Sequence, residues 1–143
     1  MPVLVAMRGR RVPVLARRLA RRARRMLDVL GRGSSELSLV LVSDRVMHDL
    51  NRSWRGKNRP TDVLAFAQDE EGPAPDGLLG DVVISVDTAR RQAAALGHSL
   101  VVEADRLLVH GLLHLMGYDH ERSPAEARRM QRKERAVLRA IDA

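Results

Sequence analysis

The sequence of 143 residues contains no cysteine, and its aromatic residues are limited to one Trp, one Tyr and one Phe. The lack of cysteine excludes disulfides, thiolate metal ligands and a cysteine nucleophile. So few aromatic residues disfavour an RNA-binding sheet that stacks bases on several rings. No apolar run approaches the roughly 20 residues that cross a membrane, and the first residues do not have the pattern of a signal peptide. We therefore expect a cytoplasmic protein that contacts no membrane.

Positive charge is concentrated near the N-terminus. The chain carries 25 Lys and Arg against 18 Asp and Glu, for a formal net charge of +7, and lysine occurs only at Lys57 and Lys133. Residues 1–35 contain ten arginines and a single acidic residue, Asp28. Arginine forks match phosphate oxygens, and binding to nucleic acid releases counterions. This segment therefore favours contact with a phosphate backbone, although an arginine-rich solvated helix face gives the same pattern.

Hydrophobic periodicity predicts strands and helices that intermix along the chain. Apolar residues at three- and four-residue spacing indicate helices, and short runs rich in Val and Leu indicate strands. Asp87 or Thr88 is predicted to cap the third helix, and residues 54–61 and 68–77 are predicted to be loops. This intermixing is typical of the α+β or α/β class. The predicted strands are 3–7, 37–42, 63–67 and 79–86 (interrupted at Gly80), and the predicted helices are 13–30, 44–53, one ending at Gly97, 99–116 and 124–141.

Three histidines form the most informative motif of the sequence. His110 and His114 lie four residues apart in a predicted helix, so their side chains lie on one face, one turn apart. Gly117 ends this helix and lets the chain turn, which brings His120 back toward the other two. Three neutral imidazoles bind Zn²⁺ and leave the fourth tetrahedral position for water, as in a catalytic zinc site. Nickel or another divalent ion suits the same nitrogen ligands.

The residue after the first histidine separates this motif from a similar one in peptidases. Metzincin peptidases have histidines at the same spacing and carry a Glu, the general base, directly after the first His. In this sequence that position is Gly111. Glycine cannot accept a proton, so the motif disfavours peptide hydrolysis. It favours a substrate such as a phosphodiester, for which a metal ion also neutralises phosphoryl charge.

A cluster of cations precedes the third predicted strand. Arg55, Lys57 and Arg59 can clamp a phosphate near the metal site, or they can lie in a solvated loop. Asp119 is adjacent to a metal ligand, where it can orient a histidine or relay a proton, and it can equally well form the turn. Four other polar residues have structural explanations that fit at least as well: His48, His98, Asp62 and Asp81.

Three motifs of the sequence are LNRSWRGKNRPTDVLAF at 50–66, LGDVVIS at 79–85 and HGLLHLMGYDH at 110–120. They resemble the motifs of the YbeY endoribonucleases, which are rRNA maturation factors. Together with the order of elements, the likeness covers about residues 36–140. The first 35 residues match only as a strand followed by a helix. Ala65 and Ala67 stand where the family more often has Ser and Pro.

The resemblance implies a single α+β domain over residues 1–143. This domain would have a small mixed four-stranded sheet, about five helices and a cleft at the end of the histidine-bearing helix. One Zn²⁺ would be bound by His110, His114 and His120, and Arg55 and His114 would be catalytic. The implied activity is cleavage of single-stranded RNA in maturation of the small-subunit rRNA 3′ end and in ribosome quality control. The implied partners are rRNA, the ribosome or its small subunit and associated proteins, without a nucleotide cofactor.

We expect metal-assisted phosphodiester cleavage in which Arg55 stabilises the developing charge and Lys57 assists. The nucleophile stays open between water activated by the metal ion and the 2′-hydroxyl of the RNA. The arginine-rich N-terminal helix would steer RNA or dock on the ribosome. Two other functions stay open: a non-enzymatic ribosome assembly factor with a structural metal ion, and a metallopeptidase, which Gly111 disfavours.

Overall fold

The part of the chain that the structure describes, residues 3–68 and 77–142 of a computed structural model, contains four strands and five helices. The strands are β1 (Val3–Arg8), β2 (Glu36–Val42), β3 (Val63–Ala67) and β4 (Leu78–Ser85). They form one sheet in the order β1-β2-β4-β3. The first three strands in that order are parallel, and β3 pairs antiparallel with β4 at the edge of the sheet. The expected mixed four-stranded sheet is therefore confirmed.

Serine side chains set the start of four of the helices. The helices are α1 (Pro13–Val29), α2 (Asp44–Arg55), α3 (Val86–Leu96), α4 (Leu100–Leu115) and α5 (Pro124–Asp142). Each of these hydroxyls accepts a hydrogen bond from a backbone N–H three residues later. The capping residues of α2, α3, α4 and α5 are Ser43, Ser85, Ser99 and Ser123. The predicted cap of α3 at Asp87 or Thr88 is wrong, since this helix begins directly at the end of β4.

Two further predictions, the end of α2 and the interruption of β4, differ from the structure. Helix α2 extends to Arg55, so the segment 54–61 is not loop throughout. Gly56, with a φ of 68°, ends α2 in the left-handed conformation that favours glycine. The predicted interruption at Gly80 is also wrong, because β4 continues through this residue and a register shift in its pairing with β2 absorbs the irregularity. The predicted loop at 68–77 lies mostly outside the described residues.

The two faces of the sheet are covered differently. On one face, Leu64 and Val83 pack with Met47 of α2 in a small apolar cluster. The main core lies on the other face, and α1, α3, α4 and α5 all contribute to it. Because side chains alternate along a strand, Val82 and Ile84 face the main core while Val83 between them faces α2.

Helix α1 is packed into this core rather than extending from it. Arg22 forms ion pairs with Asp105 of α4 at 2.7 Å and with Asp142 of α5 at 2.8 Å. Each fully buried leucine stabilises the fold by about 1.5–3 kcal/mol. The arginine-rich segment is therefore part of the folded unit. The side chains of α1 that are buried in the core are Leu15, Ala16, Leu19, Ala20, Ala23, Met26 and Leu27.

Helix α4 is the central helix of the main core and is anchored by a buried acid near its start. The carboxylate of Glu103 is fully buried and accepts hydrogen bonds from Gln92 at 2.7 Å, His98 at 2.8 Å and Arg106 at 3.1 Å. Burial alone would raise the pKa of Glu103, but these partners outweigh it and lower the pKa. In the described ranges, no helix combines the length and apolarity needed to cross a membrane.

Candidate metal centre and cleft

The C-terminal end of α4 carries two of the three histidines. His110 and His114 lie one turn apart on the same face of the helix, and their ring centroids are 4.8 Å apart. Apolar side chains on the other faces of α4 are buried in the main core. This burial fixes the rotation of the helix and turns both imidazoles toward a cleft. The buried apolar side chains around them are Leu107, Leu108, Val109, Leu112, Leu113 and Leu115.

A tight turn after α4 brings the third histidine to the same place. Gly117 has a φ of 98°, a left-handed conformation that a Cβ atom disfavours. The N–H of Tyr118 then donates to the carbonyl of Leu113 at 3.0 Å. The guanidinium of Arg129 on α5 lies 4.5 Å above the Tyr118 ring, which holds the turn against α5. The sequence prediction that Gly117 redirects the chain toward α4 agrees with this geometry.

The three imidazoles form a compact donor set that can hold a metal ion. One ring nitrogen from each of His110, His114 and His120 lies within 4.8 Å of the others. His120 has ring centroids 4.9 Å from His110 and 5.1 Å from His114. Nε2 of His114 is 3.1 Å from Nδ1 of His120. Three edge-on imidazoles at these distances fit a single divalent ion, which takes nitrogen ligands at roughly 2.0–2.1 Å.

The surroundings of His114 favour the form that binds metal. Burial lowers the pKa of His114, and the nearby His110 and His120 lower it further. A lowered pKa keeps the ring neutral at neutral pH, so its lone pair is available to a cation. This observation, together with the converging nitrogens, shows that the residues present suit a metal ion.

Glu134 contacts the triad and was not found by sequence reasoning. Its Oε2 atom lies 2.9 Å from Nδ1 of His110. An ionised carboxylate only accepts, so Nδ1–H of His110 donates this hydrogen bond and Nε2 stays free for a metal ion. The signal in the sequence is an acid on the apolar stripe of α5, between the buried residues Met130 and Val137.

Asp119 has the turn-forming role that was one of its two predicted alternatives. Its Oδ1 atom accepts a hydrogen bond of 2.9 Å from the backbone N–H of Glu121. Within residues 3–68 and 77–142, the carboxylate at hydrogen-bonding distance from a triad nitrogen is that of Glu134. The side chain of Glu121 is farther away, 4.0 Å from Nε2 of His120.

The triad lines a cleft of about 560 Å³ between α4 and α5 on one side and the end of α2 on the other. The predicted cations Arg55, Lys57 and Arg59 line the same cleft, so the structure brings them together with the histidines. Asn51 is buried, and its Nδ2 donates to the carbonyl of Arg59 at 2.8 Å, which anchors the basic segment to α2. Residues of the edge strand β3 form the floor of the cleft.

Gly111 lies against the sheet. A Cβ atom at this position would be 2.7 Å from Cγ1 of Val82, closer than real contacts allow. A glutamate here would therefore require either the Val82 side chain or α4 to shift. This packing explains why the glycine is needed and strengthens the case against a peptidase, which requires a general base at this position.

The remaining candidates make local structural contacts. Asp62 accepts from the N–H of Val63 at 2.8 Å and also lines the cleft. Asp81 lies within β4, opposite Phe66. Nε2 of His48 is 2.7 Å from Oδ1 of Asn58, and His98 contacts Glu103, as described above.

Sequence comparison decides the family. A family model described as Endoribonuclease YbeY matches residues 7–142. The chain belongs to the YbeY family. A YbeY endoribonuclease from Anaeromyxobacter sp. (strain Fw109-5) is 56% identical over 125 residues, which are 87% of this chain and 64% of the relative. One from Geobacter metallireducens is 46% identical over 145 residues, which cover 99% of this chain and 97% of the relative.

The chain therefore spans just under two thirds of the first YbeY relative and nearly all of the second. The solution structure of TM1509 from Thermotoga maritima is similar to the present fold, with a TM-score of 0.69 and 25% sequence identity. The match covers 96% of this chain and 89% of that one. The expected α+β fold and the resemblance to the YbeY family are both confirmed.

Proposed function

We propose that this chain is a metal-dependent endoribonuclease that cleaves single-stranded RNA. The observation that carries the proposal is the composition of the cleft, which three converging imidazoles share with the cations Arg55, Lys57 and Arg59. Both features stabilise the negative charge that develops as a phosphodiester is cleaved. The relatives in the YbeY family carry the name endoribonuclease, which supports the same assignment.

The proposed cofactor is one Zn²⁺ ion held by His110, His114 and His120. Zinc accepts three nitrogen ligands with one position left open, whereas Mg²⁺ prefers oxygen ligands that this triad does not offer. When bound, the ion supplies Lewis acidity and an activated nucleophile at neutral pH. In this proposal Glu134 holds His110 in the tautomer that keeps its Nε2 atom free.

Arg55 is proposed to stabilise the charge that develops on the phosphoryl oxygens, and Lys57 to assist. A guanidinium fork binds two oxygens of one phosphate, which a point charge such as an ammonium cannot do as selectively. The position of Arg55 at the C-terminal end of α2, on a helix rather than in a free loop, restricts its backbone and supports this role. Asp119 is proposed to act only through the turn that carries His120.

A preference for unpaired RNA is supported by Trp54. This side chain is 70% exposed, directly precedes Arg55 in the sequence, and its ring centroid lies 5.8 Å from that of Phe66. A large exposed aromatic face next to cations stacks a nucleobase well, and only an unpaired base is free to stack there. We therefore propose single-stranded rRNA as the substrate.

In the cell, the proposed role is maturation of the small-subunit rRNA 3′ end and ribosome quality control in the cytoplasm. The ribosome or its small subunit and associated proteins are the proposed partners. The whole of residues 1–143 is proposed to act as one domain, since α1 shares its core with the helices that carry the histidines and Glu134.

The test is cleavage of a short single-stranded rRNA fragment by the purified protein, with and without a chelator. We expect cleavage by the wild type, none with chelator and none by His114→Ala. Arg55→Gln should lower kcat/KM by about 10²–10³, as loss of one donor to a developing oxyanion does elsewhere. Arg52→Gln, one turn earlier on the same helix, is the matched control and should stay within about threefold of the wild type.

Two results would contradict the proposal. Cleavage that persists in His114→Ala would place the active site elsewhere. A folded protein that associates with ribosomes but cleaves no RNA in any form would favour the assembly factor with a structural metal ion. The product ends also separate the two nucleophiles, because a 2′,3′-cyclic phosphate forms only when the 2′-hydroxyl attacks.

A further inference from the structure

We propose that the outward faces of α1 and α5 form a binding surface for double-stranded RNA, separate from the cleft. This inference rests on the proposed function, because it assumes that the chain acts on structured RNA. It adds a second contact, to the paired segment next to the unpaired strand that is cleaved. The surface, here called the arginine face, consists of Arg17, Arg21 and Arg24 of α1 with Arg128, Arg132, Arg135 and Arg139 of α5.

Helical spacing puts the α5 arginines in one stripe. The intervals between the four residues from Arg128 to Arg139 are four, three and four, which keeps them on one side of a helix. The opposite side of α5 carries the buried residues Met130, Val137 and Ile141. All four arginines are exposed, so the stripe points away from the core over about 16 Å of helix length.

Helix α1 repeats this arrangement. Arg17, Arg21 and Arg24 are exposed at intervals of four and three, on the side opposite to the buried apolar residues. The two helices pack against each other, and the ion pair between Arg22 and Asp142 joins them directly. The two stripes therefore lie on adjacent helices.

The arginines of this face lack acidic partners within the described ranges 3–68 and 77–142. The arginine ion pairs of α1 and α5 in these ranges use other residues, namely Arg22 with Asp105 and Asp142, and Arg129 with Glu126, while Glu134 of α5 contacts His110. Unneutralised charges of one sign on adjacent helices repel each other. A polyanion relieves this repulsion and releases its own counterions on binding.

The chemistry of the face fits a duplex better than a single strand. Neither α1 nor α5 carries an aromatic residue, since those of the chain are Trp54, Phe66 and Tyr118. Without aromatic rings the face offers unpaired bases only guanidinium planes to stack on, so phosphates are its main contacts. A duplex presents two rows of phosphates, and its bases are already stacked inside. It therefore does not need the protein surface to provide base stacking.

The arginine face and the cleft lie on opposite sides of α5. Met130, Gln131 and Glu134 of α5 line the cleft, while the arginines occupy the other side of the same helix. An RNA whose unpaired segment lies in the cleft can therefore place a neighbouring duplex over α5. An anionic membrane fits less well, because the apolar sides of both helices are buried in the core and cannot enter a bilayer.

The test compares three variants of the full chain that each remove two positive charges. Arg132→Gln with Arg135→Gln alters α5, and Arg17→Gln with Arg21→Gln alters α1. The control, Arg45→Gln with Arg52→Gln, removes two exposed charges from α2 on the opposite face of the sheet. The probes are a blunt RNA duplex of about 20 base pairs, long enough for two turns of groove contacts, a short single-stranded RNA and vesicles containing phosphatidylserine.

Both arginine-face variants should bind the duplex at least about tenfold more weakly at moderate salt, and the slope of log K against log[salt] should fall by about 1 to 2. The control should change duplex affinity less than about threefold, and affinity for the single strand should change little in any variant. Equal losses in all three variants would overturn the proposal, because they would reflect net charge alone. Tight binding to vesicles with no loss of duplex affinity would overturn it in favour of a lipid surface.

This outcome is separable from that of the proposed function. If the wild type cleaves single-stranded RNA while the arginine-face variants bind duplex as the control does, only the surface is wrong. If duplex binding depends on the arginine face but no RNA is cleaved, the surface stands and the endoribonuclease assignment fails.

Discussion

Side chains from two helices form and orient the candidate metal centre. The imidazoles of His110 and His114 come from one helix, but the carboxylate that orients His110 comes from Glu134 on α5. A hydrogen bond to Nδ1 fixes both the tautomer and the ring orientation, and an ionised acceptor makes the opposite nitrogen a stronger ligand. We therefore expect the metal affinity of this candidate site to depend on a residue that does not itself bind the ion.

Replacing Glu134 tests this dependence. We expect Glu134→Ala to weaken zinc binding by about 10–100-fold, because His110 then loses its orienting acceptor. Glu134→Gln keeps an acceptor without the charge and should lie between Glu134→Ala and the wild type. The measurement is competitive titration of zinc against a chelating dye, with circular dichroism to verify folding.

Gln131→Ala provides the matched control, since Gln131 lies on α5 and lines the same cleft. It should bind zinc as tightly as the wild type. Equal affinities for Glu134→Ala and Gln131→Ala would show that the carboxylate does not orient the site.

The histidines were predictable from the sequence and Glu134 was not. Four-residue spacing in a helix and a glycine turn are local features, so the convergence of His110, His114 and His120 follows from sequence distance alone. Glu134 lies 24 residues from His110, and their contact depends on how α5 crosses α4. An acid in an apolar stripe indicates a buried partner without identifying it.

At the scale of elements, one carboxylate joins the starts of α2 and α3. Asp44 Oδ1 accepts from Ser85 at 2.7 Å and from Thr88 at 2.6 Å, and its Oδ2 pairs with Arg91 at 2.8 Å. In return, the N–H of Asp44 donates to Asp87 at 2.8 Å. These hydrogen bonds and the ion pair fix the start of α2 relative to α3. The other end of α2 carries Arg55.

Asp44→Asn should destabilise the fold by about 1–2 kcal/mol at neutral pH, through loss of charge-assisted hydrogen bonds. Burial alone would raise the pKa of Asp44, but the hydrogen bonds from Thr88, Ser85 and Arg91 lower it. The carboxylate therefore stabilises the fold above the ordinary aspartate pKa of about 3.9, and this stabilisation is lost as pH falls through the lowered value. Urea unfolding at several pH values measures it.

The difference between wild type and Asp44→Asn should shrink in acid. Asp49→Asn is the control, because Asp49 is exposed and its ion pair with Arg52 is long, at 3.6 Å. It should change the free energy of unfolding by less than about 0.5 kcal/mol. A difference for Asp44→Asn that is constant from neutral to strongly acidic pH would contradict the assigned role of the charge.

The elements themselves followed from local patterns, whereas their ends depended on tertiary contacts. The period of the apolar residues predicted all the strands and helices in the described ranges. Asp87 has the residue type of a helix cap, but its carboxylate accepts from the start of α2, and Ser85 at the end of β4 caps α3 instead. A local propensity cannot show which of two adjacent polar residues has a better partner elsewhere in the fold.

At the scale of the whole molecule, the sheet brings together two motifs that are distant in the chain. The edge strand β3 runs between the end of α2 on one face and α4 on the other, so Arg55 and the histidines border one cleft. Neither charge nor periodicity predicts that Arg55 and the histidines border the same cleft, because this depends on the strand order β1-β2-β4-β3. The family resemblance implied it, and the layering of the helices provides the physical reason.

The most direct test of the account is the number of zinc ions bound per chain, measured by elemental analysis after dialysis against zinc and removal of the excess. We expect about one ion per wild-type chain and almost none in His114→Ala, since two imidazoles alone bind zinc weakly. His48→Ala, which removes a histidine outside the triad, should still bind one. Equal zinc content in wild type and His114→Ala, or none in a folded wild-type protein, would contradict the account.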